Sequence, residues 1–276
     1  KAMVEDLKAW SDDRDEVGHD SQWERMGGSI SQEIRLFVHA HYLKKYLKGT
    51  EHVLEIGAGR GRFTGELANL CGELTVADIS AEKLELNKRN ALALGYIDKV
   101  KAWVQSDVLD LSAFADESFD AVVCYGGPIS YVTDRRDKAL KELRRVTRRG
   151  GLVFISVMSL WGRLHAHFPE ILQEDHRLLK EIVETGDIGP DAVAVASNFY
   201  HAFRPEELEV FIKSNGLTMK EMAASDCLTS TWVNMLKTWR GNQKAWETLL
   251  DIEQQAASQP GCVGMGSRII AVAVRD

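Results

Sequence analysis

A chain of 276 residues that is 45% hydrophobic and 27% charged carries enough apolar material for a large core, and reads as an ordinary globular protein. Its 34 Lys and Arg against 41 Asp and Glu leave a net charge of −7, which argues against a broad nucleic-acid footprint, since that needs a basic face. No run reaches the ~18–20 apolar residues of a membrane span, and Cys71, Cys124, Cys227 and Cys262 show neither C-x-x-C spacing nor a disulfide framework. The first ten residues lack the apolar stretch of a signal peptide. These features set the expectation of a reducing cytoplasm and no metal site, and the start at Lys1 sets the expectation of a trimmed chain.

In chain order, residues 12–28 are polar and turn-like, and Ser29-Ile30-Ser31-Gln32 resembles a capping box opening a helix to about residue 48. The pattern then becomes one of short apolar runs alternating with helices, the signature of an α/β fold with a mostly parallel sheet. Strands are predicted at 52–56, 74–78, 100–105, 119–124 and 152–158. Between them fall helices at 62–71, at 81–94 behind the cap Ser80, and at 134–149 with Leu140, Leu143 and Val146 on one side. Residues 159–203 break the rhythm and are rich in His and aromatic residues. A helix opens at Arg204-Pro205-Glu206-Glu207, with proline in the first turn where its missing N–H costs nothing. Strands follow at 217–223 and 267–275, separated by a second insertion at 226–262 with a helix over 232–255. The expected organisation is an N-terminal helical lid at 1–50 and a doubly wound, seven-stranded Rossmann-like domain at 51–276. Its insertions, 159–203 and 226–262, would form a cap.

The most informative stretch is Val53-Leu54-Glu55-Ile56-Gly57-Ala58-Gly59-Arg60-Gly61-Arg62. An apolar strand runs into glycines at alternate positions and a helix follows, so the backbone can turn sharply and offer its N–H groups to a ligand. A bare G-x-G is weak evidence. Here it is joined by Asp78, about twenty residues on at a strand end, where a carboxylate can accept both hydroxyls of a ribose. Asp107-Val108 after the third strand can hold an adenine by its amino group and face. The dinucleotide pattern G-x-G-x-x-G is not met, because its third glycine would fall at Arg62.

Glu55-Ile56-Gly57-Ala58-Gly59-Arg60-Gly61 resembles the E-x-G-x-G-x-G signature of class I S-adenosylmethionine (SAM) dependent methyltransferases. Asp78, Asp107-Val108 and Cys124 follow successive strands in that family's order, and Arg148-Arg149-Gly150-Gly151 fits its turn into the fifth strand. Phe203-Arg204-Pro205-Glu206-Glu207-Leu208 is similar to a helix start in the small-molecule branch near the ubiquinone-pathway methyltransferases. The resemblance covers residues 50–158 strongly and 200–225 with 267–275 more loosely. It implies that Gly57, Ala58 and Gly59 line the methionine part of SAM, with Glu55 supporting the loop. It also implies that Asp78 and Ile79 hold ribose and adenine, that Asp107 and Val108 take the adenine, and that Cys124 and Tyr125 sit beside the sulfonium. S-adenosylhomocysteine would be the product. Ile79 and Val108 are also plausible as plain core residues.

Methyl transfer from a sulfonium is an in-line displacement, so placing the acceptor behind the methyl can supply most of the acceleration. The chain has Cys124-Tyr125-Gly126-Gly127-Pro128-Ile129-Ser130-Tyr131 where the DNA- and glutamine-modifying branches carry D/N-P-P-Y, which argues against methylation of base amino groups. Candidates for acceptor chemistry are Tyr125 and His201, the latter as base or orienting donor, with helix packing as its plainer role. His165 and His167 alternate as two ligands on a strand would, without a third ligand at suitable spacing, and His39 and His41 face different sides of a helix. Trp23, with His19 and Arg25, stands in a turn that would close over the cofactor, where a ring can meet the sulfonium by cation–π contact. Trp232, Trp239 and Trp246 recur every seven residues, as on one helix face packed on the domain or on a second subunit of a homodimer. Eight basic residues crowd 135–149, with Asp134 and Asp137 four residues before Lys138 and Lys141, as on a solvated, ion-paired face. The leading expectation is methyl transfer from SAM to a small-molecule acceptor in the cytoplasm, with nucleic acid disfavoured. The alternatives are an RNA or protein methyltransferase, and a SAM-binding protein without catalysis.

Overall fold

The computed structural model describes residues 29–192 and 198–276. Helix α1 (Ile30–Tyr46) opens with Gln32 Oε1 accepting from the Ser29 N–H at 3.1 Å, so the capping box closes as its sequence predicts. The first four strands and two crossover helices come next: β1 (His52–Ile56), α2 (Thr64–Leu70), β2 (Glu73–Asp78), α3 (Ala81–Ala93), β3 (Val100–Gln105) and, after a loop, β4 (Phe119–Cys124). After β4 come a single helical turn, α4 (Pro128–Tyr131), then α5 (Arg136–Val146) and the long β5 (Thr147–Ser159).

Strands β1 to β5 run parallel, in the order β3-β2-β1-β4-β5. The sheet is completed by β9 (Arg268–Arg275), antiparallel to β5, and β8 (Leu217–Ala224), antiparallel to β9. These seven strands are the ones predicted. The order reverses direction at β1, so the crevice between the carboxyl ends of β1 and β4 is the place where such sheets receive ligands. One face is covered by α1, α2 and α3, which bury Val38, Leu43, Phe63, Leu67 and Leu84 against Val53, Val76, Val123 and Phe154. The other face is covered by α5 and α8 (Pro205–Ser214), which bury Leu140, Leu143, Leu208 and Ile212. The alternating inward residues of strands covered on both faces explain why these strands read as unbroken apolar runs.

The first insertion is more regular than its sequence suggests. It contains α6 (Leu160–Glu174), α7 (His176–Thr185) and the hairpin pair β6 (Asp187–Ile188) and β7 (Tyr200–Phe203). β7 pairs with Met158 and Ser159 at the end of β5. Because β9 already holds Met158 from the opposite side, β7 lies on the β4 side, above the point where β4 stops. Leu160, Leu164, Ile171, Ile182 and Tyr200 give this cap a small core of its own. His165 and His167 lie within α6, not on a strand, and so point in different directions.

The helix predicted over 232–255 is in fact two, α9 (Val233–Arg240) and α10 (Gln243–Ala257), broken at Gly241 and capped by the Asn242 side chain, which accepts from Ala245 N at 3.1 Å. The break removes the seven-residue register on which a common tryptophan face depends. Trp232 is 55% exposed, whereas Trp246 is buried with Leu236 against Ile34 of α1. The second insertion therefore covers α1, and α1 itself is an integral layer of the core.

Candidate functional site

The carboxyl ends of β1, β2 and β3 are tied into one rim by backbone groups. Gly57 N and Ala58 N both donate to Ala77 O of β2, at 2.9 and 3.1 Å, so the loop after β1 hooks over its neighbour. Gly57 has φ +75°, and a Cβ there would stand 2.6 Å from Pro128 Cγ; glycine is required by the close approach of the loop after β4. Gly59 has φ +56° and open space where a Cβ would point, which leaves the outer side of the loop accessible.

Asp78, buried at the end of β2, accepts from Gly59 N through Oδ2 (2.7 Å) and from Ser80 N through Oδ1 (2.9 Å). Ser106 N donates to Asp78 O at 3.0 Å, and Asp107 Oδ1 accepts from Leu109 N at 2.9 Å in the turn after β3. Gly57, Ala58, Gly59, Asp78 and Asp107 are thus brought together at one rim. Ile79 stands half-buried on the same rim, while the Val108 side chain belongs to the core under α5.

Glu55 lies within β1, buried, with Oε2 accepting from Thr64 Oγ1 at 2.6 Å. Burial, helped by the charge of Asp78 and opposed by the Thr64 bond, pushes its carboxyl up to about 8. Around it, Asn87 of α3 donates to Thr64 Oγ1 (3.0 Å) and Gly59 O (3.3 Å), and Asn90 donates to Arg60 O (2.9 Å). These asparagines hold the loop and were not singled out from sequence. The signal for them is two amides one turn apart on the helix that follows the candidate ribose strand.

Cys124 ends β4 with its side chain in the α5-side core, and burial pushes its thiol well above the usual range. Only its backbone faces the crevice end. Tyr125 turns the other way, its ring edge-on to His39 (4.6 Å between centroids), Phe63 (5.2 Å) and Phe154 (6.4 Å). Its hydroxyl is buried without a hydrogen bond among the described residues, and burial holds it well above the ordinary phenol range. Such a phenol is a neutral donor rather than a base. Gly126 and Gly127 follow at φ +90° and +98°, and Gly126 N is fastened to Ser156 Oγ of β5 at 3.0 Å.

His201 corrects the expectation of a proton-accepting residue. It is buried in β7 with Nδ1 2.7 Å from Asp187 Oδ1 and Nε2 2.6 Å from Glu207 Oε1. Both ring nitrogens are already held by carboxylates, so neither is left for a substrate proton. The ring ties β6, β7 and α8 together. Burial alone would raise the Glu207 carboxyl, but its bond to His201 and that ring's charge outweigh this and lower it. His39, read from sequence as an ordinary helix residue, is instead buried beside Tyr125 with Nδ1 2.7 Å from Arg35 O. Burial, with Arg268, Arg35 and Arg62 nearby, lowers it to about 3, so it is neutral. Trp23, His19 and Arg25 lie outside the described residues.

Several of the basic residues over 135–149 are committed. Arg145 meets Glu142 and Asp116, Arg148 meets Asp120, Arg149 meets Glu117, and Arg144 donates to Gly216 O.

Sheet order, loop and rim define a doubly wound α/β domain whose ligand site lies at the carboxyl ends of the parallel strands. Residues 53–151 match the family model of a methyltransferase domain. Over 116 residues it is 34% identical to a ubiquinone/menaquinone biosynthesis C-methyltransferase of Hahella chejuensis, covering 41% of this chain and 45% of that protein. Over 109 residues it is 37% identical to a demethylmenaquinone methyltransferase of Clavibacter sepedonicus, covering 40% and 42%. The chain therefore spans less than half the length of these curated relatives. Among solved structures it resembles geranyl diphosphate C-methyltransferase of Streptomyces coelicolor, with a TM-score of 0.59 over 100% of this chain and 98% of that one, at 14% identity. It also resembles a SAM-dependent methyltransferase of Methanosarcina mazei, with a TM-score of 0.57 at 19% identity, covering 85% and 96%. At these identities the likeness concerns the fold.

Proposed function

We propose that the chain binds SAM at the β1–β2–β3 rim and transfers its methyl group to a small-molecule acceptor enclosed between the sheet and the cap. The observation that carries this reading is Asp78, a buried carboxylate at the end of β2, placed beside an open glycine loop and oriented by Gly59 N and Ser80 N. The donor set fits the cofactor: Asp78 for the ribose, Asp107 and Ile79 for the adenine, and the Gly57–Ala58–Gly59 backbone for the methionine end. Glu55, largely protonated near neutral pH, supports the loop through Thr64. Bound there, SAM supplies an electrophilic methyl on a sulfonium, which an acceptor atom takes by in-line displacement.

The chain's own contribution is then positioning and exclusion of water. Tyr125, with Cys124 contributing through its backbone, and the Gly126–Gly127 turn form the wall at the end of β4. The α6–α7 and β6–β7 cap, seated above β4, covers the acceptor side. The position of the cap supports a small molecule over a polymer.

Asp78→Ala is expected to weaken SAM binding by about tenfold or more, because charge-assisted hydrogen bonds to two hydroxyls go with it. Calorimetric titration with SAM, set beside NAD as a control, checks this. Wild-type affinity in the variant would remove the ribose assignment, and no SAM binding by the wild-type protein would overturn the function.

A further inference from the structure

Arg268 opens β9 and pairs with Met158, which places it at the carboxyl end of the sheet. Along β9, Ile270 and Val272 pack under α1 while Ile269 and Ala271 pack under α5. By the alternation of a strand, Arg268 faces α1. There it meets Arg35 from α1 and Arg62 from the loop after β1, and His39 lies within the electrostatic reach of all three. His39 in turn stands edge-on to Tyr125, so the cluster is one ring away from the wall at the end of β4.

These guanidiniums are poorly compensated. Asp226 is the carboxylate that faces them among the described residues, 3.8 Å from Arg35 Nε, and its oxygens already accept from Ser225 Oγ, Ser267 N and Ser267 Oγ. Arg35 also donates to Ser267 Oγ and Ser31 O, and Arg62 to Gln32 Oε1. Arg268 Nε is buried and makes no hydrogen bond among the described residues. Burial and mutual repulsion lower Arg62 and Arg268 to about 10. Among the described residues, three guanidiniums against one carboxylate leave two net positive charges in a partly desolvated place, an arrangement that is costly unless an anion completes it. The methionine end of SAM carries an ammonium as well as a carboxylate, so it does not neutralise both. In the cap, the Tyr200 hydroxyl accepts from Arg163 Nε at 3.1 Å and lies within the electrostatic reach of Arg268.

We propose that the methyl acceptor is an anion, and that its carboxylate or phosphate group is held at the carboxyl end of the sheet by Arg268 together with Arg62 and Arg35. The inference rests on the methyl-transfer reading for the word acceptor, but the anion site itself is tested without it. Arginine suits this task because its planar fork meets two oxygens of such a group at once.

The test is titration of the full chain with inorganic phosphate at constant ionic strength, first alone and then saturated with S-adenosylhomocysteine. Both runs are repeated for Arg268→Gln, Arg62→Gln and Arg268→Lys. The expected result is phosphate binding in the presence of S-adenosylhomocysteine that falls about tenfold in either glutamine variant. Arg268→Lys should recover part of it. Affinity for S-adenosylhomocysteine should stay within about twofold of wild type in all three. Raised thermal stability of Arg268→Gln without phosphate, and no further rise on adding it, is the companion expectation. No phosphate binding, or equal binding in the wild type and both glutamine variants, overturns the proposal. So does a loss of S-adenosylhomocysteine affinity in Arg268→Gln with methylthioadenosine affinity unchanged, which would assign the guanidinium to the cofactor's own carboxylate. Absence of S-adenosylhomocysteine binding in the wild type, with phosphate binding intact, would instead fail the methyl-transfer reading and leave the anion site standing.

Discussion

Glu55 is a carboxylic acid kept inside a parallel strand, and its protonation links the site to pH. Its carboxyl stands at about 8 in the folded chain against an ordinary 4.5, because burial disfavours the charged form. Between those values the folded chain keeps a proton that the unfolded chain has released. The stability this contributes is whole below about pH 4.5 and is lost as pH rises through about 8, at up to about 1.4 kcal/mol per pH unit. Urea unfolding at about pH 5 and pH 8 should show the wild type losing stability, and Glu55→Gln should flatten that slope. An unchanged slope in the variant would assign the pH dependence to other groups. The glycine loop, Asp78 and Asp107 were legible from residue types and spacing, because a turn, a rim carboxylate and an Asx turn are local features. His39 and Arg268 were not, because their roles come from what lies across the sheet.

At the scale of elements, the hairpin of β6 and β7 shows what a paired histidine does. His201 joins Asp187 of β6 to Glu207 of α8 across β7, so it fastens the cap to the helix that follows it. Replacing it with glutamine breaks the charge-assisted contacts of a buried ring with an exposed Asp187 and a part-buried Glu207, and should lower stability by about 1 kcal/mol. SAM affinity should stay within about twofold, since the rim of β1 to β3 is untouched. Thermal unfolding followed together with calorimetry checks both halves; a loss of turnover with no loss of stability would restore His201 to the chemistry. The same scale shows why the tryptophan register failed. A period of seven is meaningful along one continuous helix, and Gly241-Asn242 interrupts it with a helix stop followed by an N-cap. Trp246 then packs on Ile34, while Trp232 remains exposed. The strands, by contrast, were read to within a few residues, since burial on both faces leaves an apolar run that no other element of that length produces here.

The whole molecule distributes its charge unevenly. Arg145 of α5 and Arg148 and Arg149 at the start of β5 are met by Asp116, Glu117, Asp120 and Glu142, so part of a stripe that looks cationic in sequence is neutralised in space. With a net charge of −7, the chain is expected to give no salt-dependent shift of tRNA in a gel at low ionic strength. A shift that weakens steeply with salt would favour the polymer-directed alternative. Arg35, Arg62 and Arg268 are separate from that stripe, half-buried at the carboxyl end of the sheet. No helix among the described residues is long and apolar enough to cross a membrane.

The sequence by itself determined the α/β alternation, the seven strands of the sheet, the glycine loop and the acidic residues at the ends of β2 and β3. Each is set by periodicity or by backbone conformations that few residue types allow, and so is written in short stretches of chain. Only the tertiary structure decided that α1 is a core layer, that His201 is a tie, and that residues 35, 62 and 268 gather around His39, one ring away from Tyr125. The first and last depend on elements that meet across more than two hundred residues, and the His201 tie on how β6, β7 and α8 pack, so no local preference encodes them. Buried charge is felt through space, so its partners become visible only once the sheet has brought its carboxyl ends together.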